Sequence, residues 1–86
     1  MIQKSIKIQL NGGLEARPIA MLVQVASQHE SSVYIETDGK KVNAKSIMGM
    51  MSLALDSGEA VTVITNGNDE QEAMKDMEEY LSGEKK

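Results

Sequence analysis

The 86-residue sequence has no cysteine, tryptophan or phenylalanine, one proline and two tyrosines. Without cysteine a small chain has neither a disulfide to hold a loose core nor a thiolate metal site, so its stability rests on matched helix and sheet packing. The same lack excludes a disulfide scaffold of the secreted kind and suits a reducing compartment, so a cytoplasmic location is expected. With Tyr34 and Tyr80 as the only aromatics, there is neither a stacking platform for bases nor an aromatic cage for a ligand. No apolar run approaches the ~18 residues of a membrane span. Residues 1–10 alternate charged and apolar side chains instead of forming a signal-peptide core. Positive charge is also short: 9 Lys+Arg against 13 Asp+Glu give a net charge of −4, which disfavours direct nucleic-acid binding. Small-molecule binding is not the first expectation either.

The length leaves no room for a second core, so one domain over residues 1–86 is expected. Lys4 to Leu10 alternates with period two, the pattern of a half-buried strand with Ile6, Ile8 and Leu10 inward. Asn11-Gly12-Gly13 breaks it. Ile19, Leu22, Val23 and Ala26 then mark one face of a helix, with Pro18 in its first turn, where a missing backbone donor costs nothing. Asp38-Gly39 between two β-rich runs spanning Val33 to Ala44 predicts a hairpin. Ser46 precedes a short apolar stretch, Ile47 to Leu55, at helical spacing and closed by Ser57-Gly58. Ala60 to Thr65 is a further strand. After Asn66-Gly67-Asn68, Asp69 with Glu72 three residues on suggests a capped helix burying Ala73, Met77, Tyr80 and Leu81. Gly83 and the two terminal lysines suggest a frayed end.

The order is βαββαβα, an α+β open-faced sandwich: a four-stranded antiparallel sheet with all three helices on one face, since a second helical layer needs more residues. If the first crossover is right-handed, the last strand enters between the two strands that flank it.

The middle helix carries more apolar side chains than one buried face needs. Met50, Leu53 and Ala54 suffice for the core, which leaves Ile47, Met48 and Met51. They form either an exposed apolar patch, for which methionine is the adaptable residue, or part of a helix buried all round. Ser46 is a natural N-cap; alternatively it is a phosphorylation site, because a phosphate of charge about −1.5 to −2 is favourable at the positive end of a helix. Lys40, Lys41 and Lys45 add positive charge nearby, or form a solvated face. Gly12-Gly13 and Arg17 before the first helix make a weak anion cradle. Position 15 in that cradle is a carboxylate, and His29, the only histidine, falls near the end of the helix as a surface or C-cap residue. No Ser/His/Asp set, metal cluster or full phosphate loop is present, and no enzyme activity, metal or cofactor is expected.

In Gly13-Leu14-Glu15-Ala16-Arg17-Pro18, and in the longer and more specific run from Gly39 to Leu53, the chain resembles the HPr family of phosphocarrier proteins of the sugar phosphotransferase system. The similarity runs from about residue 2 to residue 81, with one departure: the family's phosphate-accepting histidine is replaced by Glu15. The resemblance therefore points to a histidine-less regulatory branch of the family that keeps the regulatory serine, in which glutamine is usual at position 15. It implies a phosphoprotein of carbon catabolite repression. HPr kinase/phosphorylase would phosphorylate Ser46, and the phosphoserine form would act as corepressor of the catabolite control transcription factor, a LacI-type repressor. Arg17, Ala20, Met21, Ile47, Met48 and Met51 would face that partner, and the negative chain would act on DNA only through it. Glu15 would bar phosphotransfer. At an assumed separation near 8 Å it would repel a divalent phosphate on Ser46 by about 1 kcal/mol in a water-like dielectric.

Two other functions remain open. One is a phosphocarrier with another nucleophile, labelled by Enzyme I and phosphoenolpyruvate; the other is an interaction module in which Ser46 is only a cap. A monomer is expected, with a strand-exchanged homodimer accessible if the Asn11-Gly12-Gly13 hinge opens.

Overall fold

The structure, a computed structural model, describes residues 1–9, 16–53 and 58–83, with Ala16 and Arg17 described in backbone only. Leu10, the Asn11-Gly12-Gly13 hinge, Glu15, Ala54, Ser57, the terminal lysines and the Arg17 side chain lie outside the described residues.

Seven elements follow one another: β1 Ile2–Lys7, α1 Ala16–Ser27, β2 Ser32–Thr37, β3 Lys40–Asn43, α2 Ile47–Met51, β4 Ala60–Asn66 and α3 Glu70–Leu81. The sheet runs β1-β4-β2-β3 with every neighbour antiparallel, so β4 enters between β1 and β2 as the crossover argument requires. Ile6 faces Val61 on β4, and Val33 and Ile35 of β2 face Thr65 and Val63, so one face of the sheet is apolar. Onto that face pack Ile19, Leu22 and Ala26 of α1, Met50 of α2, and Ala73, Met74, Met77 and Leu81 of α3. Fully burying such side chains contributes roughly 1.5–3 kcal/mol each, which is the main stabilising term for a chain without cross-links.

The β2–β3 hairpin closes on Asp38 and Gly39, whose φ values of 49° and 77° are both left-handed. That is the type I′ turn whose twist matches paired strands, and the reason this dipeptide announces it. Within α1, Val23 is only partly buried, and in α3 Tyr80 is partly buried with its hydroxyl donating to the Pro18 carbonyl at 3.2 Å.

Three expectations are corrected. The first strand begins two residues earlier, at Ile2, and its regular part ends at Lys7, although Ile8 stays fully buried and bonds to Glu59 at 2.8 Å. Gly83 is no frayed end: its φ is +80°, its N–H donates to Tyr80, and a Cβ there would lie 2.7 Å from the Gln9 carbonyl oxygen. The Asp69 side chain makes no cap bond to its own helix; it is engaged elsewhere, as described below.

Candidate functional site

Ser46 is built from the end of the hairpin. Ala44 is buried and its N–H bonds to the Val33 carbonyl at 2.8 Å, which anchors the chain as it leaves the sheet. The Asn43 side-chain carbonyl accepts from Lys45 N at 2.8 Å, and its backbone carbonyl accepts from Ser46 N at 3.0 Å, a turn that asparagine makes readily. Ser46 then takes extended geometry, φ −104° and ψ 114°, and its Oγ accepts the Gly49 N–H at 3.2 Å. This is the N-cap expected from the sequence. At the other end of α2, Ser52 closes the turn by donating through its hydroxyl to the Gly49 carbonyl at 2.6 Å.

Of the two arrangements left open for α2, the exposed one is found. Met50 is fully buried and Leu53 is 4% exposed, whereas Ile47, Met48 and Met51 are 45%, 79% and 55% exposed. Met50 and Leu53, three positions apart, turn toward the core, while Ile47, Met48 and Met51 leave much of their surface to solvent. α2 packs against α1, from which Met21 also projects with 48% exposure, while Ala20 is half-buried. The result is an uncharged thioether-rich surface beside the Ser46 hydroxyl.

Of the two readings of the lysines, Lys40 and Lys41 fit the solvated face and Lys45 fits neither. The Lys45 ammonium is turned away to the His29 carbonyl, 2.7 Å distant. Lys41 lies on the helix-free face of the sheet, its ammonium 4.8 Å from the centre of the Tyr34 ring, a cation–π contact. Only Lys40, exposed on the edge strand, has neither of these engagements.

His29 is not a surface residue. Its side chain is 9% exposed, with Nδ1 3.2 Å from Asp69 Oδ2 and Nε2 2.8 Å from Asp76 Oδ2. Each ring nitrogen thus faces a carboxylate oxygen of α3 or its N-cap. Asp69 also accepts from the Ser31 hydroxyl, from Ser31 N at 2.9 Å and from Glu30 N at 3.1 Å. The Ser31 hydroxyl, with the two backbone N–H groups and His29, holds the Asp69 carboxyl well below the usual carboxylate range. No local pattern announces this clamp. Its two halves, residues 29–31 and the pair Asp69 and Asp76, are 38 to 47 positions apart and meet because the β2–β4 ladder ends on the pair Ser32 and Asn66. Among the described residues no group of three or more His, Cys, Asp or Glu side chains converges to hold a metal, and no helix is long and apolar enough to cross a membrane.

A β1-β4-β2-β3 antiparallel sheet covered on one face by three helices, with a serine-capped short helix exposing apolar side chains, defines an HPr-like open-faced sandwich. The chain belongs to the HPr family: residues 2–83 match the family model described as the PTS HPr component phosphorylation site. Within that family it is similar to the HPr-like protein Crh of Halalkalibacterium halodurans, 54% identical over 84 residues that cover 98% of this chain and 100% of that protein. Its fold matches the crystal structure of the phosphocarrier protein HPr from Bacillus anthracis, with a TM-score of 0.90, 46% identity and coverage of 93% of this chain and 95% of that one. It also matches the crystal structure of Bacillus subtilis Crh, described as a swapped-domain dimer, with a TM-score of 0.78, 51% identity and coverage of 96% and 95%. The chain is thus a Crh-like HPr-family protein, of regulatory or phosphocarrier type.

Proposed function

We propose that this chain is a regulatory phosphoprotein rather than a phosphocarrier. HPr kinase/phosphorylase transfers the γ-phosphoryl group of ATP to the Ser46 oxygen, and the phosphorylated form acts as corepressor of the catabolite control transcription factor. The observation that carries this reading is the exposed apolar surface of Met21, Ile47, Met48 and Met51 beside the hydroxyl that caps α2. A phosphate on Ser46 lies at the electropositive end of that turn and keeps oxygen acceptors for the Gly49 N–H, so the fold accepts it. The phosphate supplies a charge-assisted anchor for a basic pocket of the partner. The methionines and Ile47 supply apolar area, and by the family resemblance Ala20 and Arg17 would contact the same partner.

Glu15 stands where the family's phosphocarrier histidine is expected and would bar phosphotransfer. The phosphocarrier alternative draws support from the matched family and from the likeness to a phosphocarrier HPr. It needs another nucleophile, and His29 is a poor one because both its ring nitrogens face carboxylates. In assembly, β1 is paired with β4 of its own chain, the monomer arrangement. A homodimer by exchange of β1 remains accessible through the Asn11-Gly12-Gly13 hinge, as the swapped dimer of the Bacillus subtilis relative suggests.

The test is intact mass after two incubations of wild type and Ser46→Ala, one with HPr kinase and ATP, the other with Enzyme I and phosphoenolpyruvate. One phosphate added by the kinase alone, and lost in Ser46→Ala, is expected. Labelling by Enzyme I would restore the phosphocarrier.

A further inference from the structure

The seven methionines divide sharply by environment. Met50, Met74 and Met77 are 0–5% exposed in the core. Met21, Met48 and Met51 stand out on the adjoining helices α1 and α2, and Met1 is exposed at the far end of β1. Since the chain has no cysteine, its thioethers are its only oxidisable sulfur, and an oxidant in solvent meets the exposed ones first.

We propose that Met21, Met48 and Met51 form a reversible oxidation site, taking hydrogen peroxide or a related two-electron oxidant as substrate, whose modification disables the apolar surface without unfolding the protein. The sulfur lone pair attacks one peroxide oxygen, the O–O bond breaks, an S–O bond forms and water leaves. Sulfur gives up two electrons and the peroxide takes them. The product sulfoxide is a polar acceptor where a partner needs an apolar contact. Burying it without a donor costs enough to weaken association roughly tenfold or more. The fold survives because the core sulfurs are shielded and because Met48 and Met51 contribute little to core packing. Methionine sulfoxide reductases restore the thioether: two thiols give up two electrons to form a disulfide, the S–O bond breaks and its oxygen leaves as water, which makes the change a switch instead of damage.

The effect on binding rests on the proposed function; the selectivity and reversibility of oxidation do not. The purified, Ser46-phosphorylated protein is treated with graded hydrogen peroxide. Sulfoxides are mapped by peptide mass, folding is followed by circular dichroism, and binding to the transcription factor is measured before and after treatment with sulfoxide reductases. Sulfoxides at positions 21, 48 and 51 should precede those at 50, 74 and 77, with an unchanged spectrum, binding weakened roughly tenfold or more and restored by reduction. In a Met21→Leu/Met48→Leu/Met51→Leu variant, whatever affinity for the transcription factor remains should not change on peroxide treatment, although exposed Met1 is still oxidised. Oxidation of core methionines at the same rate, or sulfoxides at 48 and 51 with unchanged binding, overturns the inference. Failure of the untreated phosphoprotein to bind instead overturns the functional reading, and selective, reductase-reversible oxidation then decides the site by itself.

Discussion

Asp69 reaches back across 38 residues to Ser31, accepting both its hydroxyl and its backbone N–H, the latter at 2.9 Å. One carboxylate thereby joins the start of α3 to the loop entering β2 and holds His29 between itself and Asp76. Because these bonds favour the ionised form, the Asp69 carboxyl is depressed below its ordinary value of 3.8. Its stabilisation is therefore present above that ordinary value and lost as pH falls through the folded-state value. Wild-type stability should drop as pH is lowered through about 4 to 2, and Asp69→Asn should be less stable at neutral pH with a flatter slope in that window. Urea melts at a series of pH values check this; parallel curves for the two proteins would contradict it.

Gly67 lies against the same serine. A Cβ at position 67 would sit 2.7 Å from both the Ser31 Cα and its Oγ, with backbone that cannot simply move aside. Gly67→Ala should cost about 1–3 kcal/mol. Gly39→Ala, which is left-handed but meets nothing within 4 Å, should cost about 1 kcal/mol from backbone strain. Equal losses in chemical denaturation would mean that the close approach is absent.

Two methionines two positions apart on α2 test its orientation. Met50→Ala should destabilise by about 2–5 kcal/mol, because Met50 is fully buried. Met48→Ala should change stability by no more than about 0.5 kcal/mol. Comparable effects would mean that α2 is buried all round.

The hairpin, the core faces of α1 and α3 and the cap at Ser46 were legible because each rests on neighbours in sequence: a dipeptide that tolerates left-handed φ, a helical period, a hydroxyl before an apolar run. The Asp69 clamp was not, since only the pairing of β4 with β2 brings Asp69 to the neighbouring His29 and Ser31. Lys45 is the clearest miss at the candidate site. The sequence leaves it either adding positive charge near the serine or lying on a solvated face, whereas its ammonium bonds to the His29 carbonyl, a partner 16 positions away. The apolar surface was half legible: composition revealed a surplus of methionine, and only the packing of α2 decided which side chains it exposes.

The cap itself gives a further prediction. Ser46→Ala removes the acceptor for Gly49 N–H and should cost about 1 kcal/mol, while Ser46→Asp keeps an acceptor and should remain near wild type. If Ser46 is the phosphorylated residue as proposed, neither variant should take up phosphate from the kinase, so the stability pair separates the capping role from the signalling role. Equal melting of all three proteins would leave the cap without energetic weight.

In the proposed function, phosphate on Ser46 and the apolar face of α1 and α2 act together on one partner. Calorimetric titration of the purified transcription factor with phosphorylated and unphosphorylated protein tests it most directly. Binding should depend on the phosphate and weaken roughly tenfold or more in phosphorylated Met48→Asp/Met51→Asp. Equal affinity of the phosphorylated and unphosphorylated forms would contradict it.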